Sequence, residues 1–415
     1  MKKFIFALLL SAALLFSGQT AFADKGWEIK PPETPEETRV EPLASLFNFG
    51  VKPKNELADI LEDPVLKEII NLIDRNYVDK NPNKEKMIEG ALNGMLKSLD
   101  HHSHYLNPEK AKLEKESIQG EFAGIGAVLE MKNGNVVVLD VYENSPAEKA
   151  GIKAGDIIIK VKDDSGEIAA DDSVNLEDVV KRIRGAPGTK VTLTVFRKEA
   201  PSPLKIEITR GKVKIINVVS KKFNDVGYVK MAQFAEKSAD DLGNAVEKLK
   251  KQGAAKIILD LRNNPGGLLS SVNDIASMFL SPAKIITSLN GRGGQILETH
   301  ISTGGKYAEI PLVILTNGGS ASASEIMAAA IKENGRGKIV GENTFGKGSV
   351  QTVVFLSNGG NIHLTIAHFY SPLGNKIHGV GVAPDVKVEI TDANNFKMGD
   401  PEKDPQLKKA LEILK

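Results

Sequence analysis

Three serines crowd one short stretch, Asn317-Gly318-Gly319-Ser320-Ala321-Ser322-Ala323-Ser324-Glu325, directly after the apolar run 312–316. That run reads as a buried strand, and the small residues turn it into a helix over 326–332, stopped at Asn334-Gly335. A serine at such a turn exposes its hydroxyl beside the positive end of a helix, where a developing oxyanion is favoured. The same serines could do no more than cap the helix. A lysine follows in Thr344-Phe345-Gly346-Lys347-Gly348-Ser349-Val350-Gln351, and its flanking glycines let the Lys347 backbone approach another loop closely. Buried against a serine, a lysine loses its charge more readily, and the neutral amine can take the serine proton. Gln351, near the start of a strand over 350–355, lies where it could hydrogen-bond Lys347. Standing alone, the lysine segment reads as a solvated loop or a phosphate contact.

These groups need a frame. After Pro201-Ser202-Pro203, strand 227–231, helix 239–252, strand 256–261, helix 270–280 and strand 312–316 alternate, which makes an α/β core with largely parallel, buried strands. From Gly120 to about Arg197 the pattern differs: short strands at 127–131, 136–141, 157–161 and 191–196, a helix over 176–183, and glycine turns. Here Gly124-Ile125-Gly126-Ala127 sets a Gly-x-Gly turn ahead of a strand. Such a turn can aim backbone N–H groups at a carboxylate while the strand edge takes up an extended peptide. Arg182 and Arg184, in or just after the 176–183 helix, read as charges on a solvated face. Upstream, Leu66, Ile69, Ile70, Ile73 and Tyr77, then Met87, Ile88, Ala91, Leu92, Met95, Leu96 and Leu99, give two amphipathic helices parted by Asn81-Pro82-Asn83.

The 415 residues carry a formal net charge of only +1, which gives no general attraction for nucleic acid or an anionic membrane. With 41% hydrophobic residues there is material for two or three folded units. Residues 24–53 are rich in Pro and Glu without a period and read as a flexible lead-in. Ahead of them, Lys2 and Lys3, an apolar stretch over 4–16 and Ala21-Phe22-Ala23 make a cleavable export signal over residues 1–23, the apolar stretch being shorter than the roughly 20 residues that span a bilayer. The expected location is a bacterial periplasm, with the cell exterior as the alternative. Zero cysteines exclude disulfides and a thiol nucleophile.

The stretch Ser145-Pro146-Ala147-Glu148-Lys149-Ala150-Gly151-Ile152-Lys153-Ala154-Gly155-Asp156-Ile157-Ile158 is similar to the turn-and-strand signature of PDZ domains. Segments 320–326 and 344–351, together with Asp260-Leu261-Arg262-Asn263-Asn264-Pro265-Gly266-Gly267, Ser98-Leu99-Asp100 and Asp404-Pro405-Gln406-Leu407-Lys408-Lys409-Ala410-Leu411, resemble the carboxyl-terminal processing proteases, also called tail-specific proteases. The resemblance covers nearly everything after the lead-in. It implies a multi-domain α/β chain: an N-terminal helical region over 54–107, a PDZ domain over 108–198, a crotonase-like Ser/Lys serine protease core over 199–390, and a C-terminal extension over 391–415 with a short helix. It further implies Ser322 as nucleophile, Lys347 as general base and Gln351 as the residue orienting the lysine. The oxyanion donors would be the N–H groups of Ala323 and of Gly267, preferred over Gly266. Gly124, Ile125, Gly126 and Ala127 would hold a substrate's C-terminus. Implied partners are proteins with accessible C-termini, an adaptor or activator protein, and a second copy bound through the N-terminal helices; no nucleic acid, cofactor or metal is implied. A PDZ-based scaffold around an inactive or partner-gated core is the alternative reading, and an esterase on the same α/β core a third.

One segment departs from the family: His101-His102-Ser103-His104 stands where Pro and Ser are usual. Its spacing fits one helix face poorly and no Cys or acidic partner accompanies it, so it reads as a surface turn rather than a metal site. His363, His368 and His378 have no companion aspartate arranged in the sequence for a Ser-His-Asp set.

Overall fold

Asp63 accepts hydrogen bonds from the N–H groups of Val65 and Leu66, and Pro64 fills the first helical position, which starts α1 (Pro64–Asn76). The computed structural model describes residues 57–171, 174–198, 200–392 and 395–415; the export signal and the lead-in lie outside the described residues. The chain divides into two compact units, Met1–Pro82 and Asn83–Lys415. Helix α1 belongs to the first, and its Val65, Ile69 and Ile70 are exposed.

The second unit opens with α2 (Lys84–Lys97), capped by the Asn83 side chain. A short strand, β1 (His104–Leu106), and α3 (Pro108–Gln119) follow. The sequence expectations omit α3, because its run of Lys and Glu has almost no apolar period. Its end signals are nevertheless complete: Asn107 caps it, Pro108 opens it, and Gly120 closes it in the left-handed conformation at φ 72°.

Next come β2 (Glu121–Gly124), β3 (Ala127–Lys132), β4 (Asn135–Val141), the short α4 (Pro146–Lys149), β5 (Ile157–Asp163), β6 (Gly166–Ala169), α5 (Leu176–Ile183), β7 (Lys190–Phe196) and β8 (Leu204–Thr209). They form an antiparallel sheet in the order β3-β4-β5-β7-β8 with β6 alongside β5. Alternate residues, among them Val136, Ile158, Leu193 and Val195, bury one face together with Val179 of α5. The sheet runs on past residue 198, where the sequence reading ends this module. Pro201-Ser202-Pro203 is a hairpin connection inside the sheet rather than the link to the core. Strand β9 (Gly211–Lys214) then pairs with β2, so the chain enters and leaves the module side by side.

The core is built from β10 (Val218–Phe223), β11 (Val226–Met231), α6 (Ser238–Lys251), β12 (Lys256–Asp260), α7 (Leu269–Phe279), β13 (Ile285–Asn290), β14 (Ile296–Ile301), β15 (Leu312–Thr316), α8 (Ala323–Glu333), β16 (Lys338–Gly341), β17 (Ser349–Phe355), β18 (Asn361–Tyr370), β19 (Val386–Lys387) and α9 (Pro405–Ile413). Its main sheet has the order β10-β11-β12-β15-β16-β19, parallel throughout except at β10. All five residues of β15 are buried, as expected of a strand covered on both faces. Ile257, Leu259, Leu312 and Ile314 face the layer of α6, α7 and α8, whereas Ile258, Val313, Leu315 and Val340 face Leu407 and Ala410 of α9. A second sheet joins β13, β14, β17 and β18 to β1, which pairs with β18 far ahead in sequence.

One buried ion cluster fixes α9. Arg262 is fully buried and donates to both carboxylate oxygens of Asp260 and of Asp404 and to Gln406. The Tyr228 hydroxyl adds a bond to Asp260 at 2.7 Å, and Asp404 also caps α9 through the N–H of Leu407. Burial pushes the Asp404 carboxyl up, but its bonds with Arg262 outweigh this and hold it below the usual aspartate range. Removing one member of such a cluster leaves the others buried and unpaired, so Arg262→Met is expected to cost about 3–5 kcal/mol, read as a lower urea midpoint. Because the Asp404 pKa is depressed, its share of stability is full above about pH 4 and lost as the pH falls.

Candidate active site

The turn after β15 is held from several sides. Asn317 Oδ1 accepts from the N–H groups of Asn263 and Gly319, and the N–H of Ala321 donates to Asn264 O at 3.0 Å. Ser320 Oγ donates to Leu261 O at 2.8 Å and Ser324 Oγ to Asn264 O at 2.9 Å; both serines are fully buried. Their hydroxyls therefore stitch this turn to the loop after β12 rather than capping the helix. Ser322, between them, is partly exposed and sits at φ 55°, ψ −115° just ahead of α8. Left-handed backbone in a residue with a side chain is costly and persists only where neighbours enforce it. The enforcing neighbour is Gly266, at φ 104°: a Cβ there would come within 2.7 Å of Ser322 Cβ and 2.8 Å of Ala321 O.

Glu325, fully buried one turn into α8, was part of the serine signature but carried no assigned role in the sequence reading. Its Oε2 accepts from the N–H of Ser322 and from the N–H of Lys347, both at 2.8 Å. Its Oε1 accepts from the N–H of Gly346 at 2.7 Å and the Thr344 hydroxyl at 2.5 Å. One carboxylate thus fastens the serine turn to the lysine loop. The signal was present in the sequence, since Ser followed three residues later by Glu at a helix start is a capping-box pattern.

Lys347 lies in the loop between β16 and β17, half-buried, with Gly348 pressed so closely on His378 that a Cβ would meet its backbone N at 2.5 Å. Burial pushes the Lys347 ammonium below the usual lysine range, and the nearby carboxylates of Asp100 and Glu114 oppose this only in part. Among the described residues its Nζ makes no hydrogen bond, either to Ser322 Oγ or to Gln351. Such pairs are often loose without substrate and tighten in the complex. Gln351, in β17 at a register shift against β18, instead donates from Nε2 to Ser349 Oγ at 2.8 Å and Thr365 Oγ1 at 3.1 Å.

The glycine loop after β12 separates its two candidates. The N–H of Gly266 is taken by Asn264 Oδ1 at 2.9 Å. Gly267, at φ 143°, lies flat against the Phe234 backbone, where a Cβ would come within 2.2 Å of Phe234 O. Among the described residues the N–H groups of Gly267 and Ala323 donate to no protein acceptor.

The histidine segment is not the surface turn the sequence suggested. His104 stacks on His363 with ring centroids 4.5 Å apart, His363 meets Glu114 at 2.9 Å, and His102 meets His378 edge-on. His378 in turn lies 4.8 Å from His368. No cluster suited to a metal ion occurs among the described residues.

In the β2 to β8 module, Ile125, Gly126 and Ala127 line a cavity of about 300 Å³ with Leu129, Val180 and Ile183, closed on one side by Leu113, Glu116 and Ser117 of α3. Gly124 lies behind it, against the Phe122 ring. Arg184 is no solvated charge: it pairs with Glu116 at 2.8 Å and lies 4.9 Å above the Phe122 ring, while Arg182 pairs with Asp163.

Residues 225–388 match the model of peptidase family S41, and residues 123–208 that of the PDZ domain. A carboxy-terminal-processing protease of Bartonella bacilliformis is 39% identical over 312 residues, covering 74% of this chain and 71% of that protein. The chain belongs to peptidase family S41. This S41 peptidase is also 36% identical over 349 residues to a probable CtpA-like serine protease of Staphylococcus aureus, covering 81% of the chain and 69% of that protein. A solved photosystem II D1 C-terminal processing protease shares 30% identity, with 83% and 91% of the two chains covered and a TM-score of 0.47. The chain is thus a serine-type peptidase of the carboxy-terminal-processing family that carries a PDZ domain.

In this peptidase, Glu325→Gln would turn an amide donor toward N–H groups that now meet a carboxylate oxygen, at an expected cost of about 2–3 kcal/mol. Urea unfolding should report that cost as a lower midpoint, since the serine turn and the lysine loop lose their shared carboxylate.

Proposed function

We propose that this S41 peptidase is an exported endopeptidase that processes or degrades proteins from their C-terminal region. The PDZ groove bounded by Ile125, Gly126 and Ala127 takes the substrate's C-terminus, and the chain ahead of it extends to Ser322. Neutral Lys347 accepts the Ser322 hydroxyl proton as Oγ attacks the peptide carbonyl. The resulting oxyanion accepts hydrogen bonds from the N–H groups of Gly267 and Ala323. Collapse expels the amine, which takes the proton from Lys347, and leaves an acyl-enzyme. Lys347 then takes a proton from water, the hydroxide attacks the ester, and Ser322 recovers its proton as the new C-terminus departs. Gln351 orients the lysine. The observation that carries this reading is the single carboxylate of Glu325 joining the backbone of a strained serine to that of a half-buried lysine.

The export signal at residues 1–23 supports action outside the cytoplasm, in a periplasm. Among the described residues no helix is long and apolar enough to cross a membrane. A second copy would bind through the N-terminal helices and an adaptor or activator would gate the site. Gating is supported by the engagement of Arg184 with Glu116 at the groove.

Ser322→Ala and Lys347→Ala should each lower kcat on a disordered protein substrate by on the order of 10⁴-fold; turnover surviving in either variant would overturn the assignment. Since the base must be neutral and burial depresses its pKa, activity should fall as pH drops through the Lys347 titration. Wild-type kcat/KM measured against pH reads that limb directly.

A further inference from the structure

Asp100 stands between α2 and β1, ahead of the whole PDZ domain, yet its carboxylate is the end of a hydrogen-bond chain that reaches Gln351. Its Oδ1 accepts from the N–H groups of His102 and Ser103, each at 2.7 Å, and its Oδ2 accepts from Ser103 Oγ at 2.8 Å. Ser103 is almost fully buried, and its Oγ also accepts from the N–H of Thr365 at 3.1 Å and lies 3.4 Å from Thr365 Oγ1. Thr365 Oγ1 accepts from Gln351 Nε2 at 3.1 Å.

The direction of this chain follows from its end. An ionised carboxylate only accepts, so the single Ser103 proton goes to Asp100. Ser103 Oγ can then only accept from Thr365, whose hydroxyl also hydrogen-bonds Asp100 and so points its proton the same way. Thr365 Oγ1 must in turn accept from the glutamine, which turns the NH2 of Gln351 toward Thr365 and Ser349. The carbonyl oxygen is the end left over, and it is the end a lysine amine needs. Successive bonds of one sense polarise one another and strengthen the arrangement.

We propose that Asp100 is a positioning residue of the catalytic site: through Ser103 and Thr365 it sets the orientation of the Gln351 amide four residues from Lys347. The inference rests on the proposed roles of Ser322 and Lys347. Asp100 also places a negative charge near the lysine. Burial would push its carboxyl up, but the bonds from Ser103 and His102 hold it at about 2, so it stays ionised across the working range. The other groups that face Lys347 are Glu114 from α3, His102 from the Asp100 loop, and the carboxylate of Glu325 at its backbone; His378, with His368 and Lys376 beside it, lies behind His102. Burial and the Lys347 charge push His102 below the usual histidine range, so at neutral pH it adds no cation beside the lysine.

Two substitutions divide the effects. Asp100→Asn keeps an oxygen for the N–H groups of His102 and Ser103 but removes the charge that favours the lysine ammonium and, with its amide donor facing Ser103 Oγ, reverses the chain as well. The acid limb of kcat/KM should therefore move to lower pH by about one unit. Ser103→Ala breaks the chain without changing charge: kcat should fall about tenfold with KM and the acid limb unmoved, and Ser103→Thr should restore it. Should Ser103→Ala fail to fold, Thr365→Val cuts the same chain from β18 and takes its place. An unmoved limb in Asp100→Asn, or full kcat in a folded chain-breaking variant, overturns the proposal. Ser322→Ala assayed alongside keeps the two readings apart. If it is inactive while the chain-breaking variants match wild type, the positioning role alone fails; if it retains activity, the assignment of Ser322 fails first.

Discussion

The candidate site is held together by one fully buried carboxylate, that of Glu325. Glu325 receives four donors, one from the serine turn, the N–H of Ser322, and three from the lysine loop, the Thr344 hydroxyl and the N–H groups of Gly346 and Lys347. Charge-assisted bonds to backbone N–H groups are strong and directional, and burial strengthens them further. The consequence is geometric. Two segments 25 positions apart, those of Ser322 and Lys347, are fixed at the backbone by one side chain. The strain at Ser322 is tolerable only inside this clamp and against the bare face of Gly266.

The sheet around the clamp explains why it can be rigid. Strands β12 and β15 are neighbours in a parallel sheet, and both the glycine loop and the serine turn leave from their C-terminal ends. Ser320 and Ser324 tie those two loops together, which holds Gly267 and Ser322 in one frame. The lysine belongs to a different sheet. Its strand β17 pairs with β18, which also receives β1 from the segment ahead of the PDZ domain. The PDZ domain is therefore flanked in sequence by elements of the core, and β2 and β9 bring its two ends together. A module inserted in this way can shift about its paired ends without unthreading the core.

Much of this was legible in the sequence, for identifiable reasons. The parallel core could be read because strands covered on both faces are continuous apolar runs, as in Leu312-Val313-Ile314-Leu315-Thr316, and because the helices between them keep a clear period. Helix α3 and strand β18 were not legible: the first has too few apolar residues to show a period, and the second mixes His, Thr and Asn because its neighbours are site residues rather than core. The choice among three serines came from family resemblance, whereas the structure supplies a physical ground, since Ser320 and Ser324 have their hydroxyls engaged. The contribution of Asp100 and Ser103 was hidden because they meet Gln351 only through Thr365, some 262 positions from Ser103. Contacts of that separation leave no local pattern. The histidines beside them were misread for the same reason, as their partners His363 and His378 come from distant strands.

The Arg262 cluster has a meaning beyond stability. Helix α9 is bolted to the main sheet through Asp404 and Gln406, and Leu407, Ala410 and Leu414 are packed against that sheet. The same salt cluster that steadies the loop after β12 thereby joins two segments 142 positions apart, so that loosening the helix also loosens the strand end from which the glycine loop leaves.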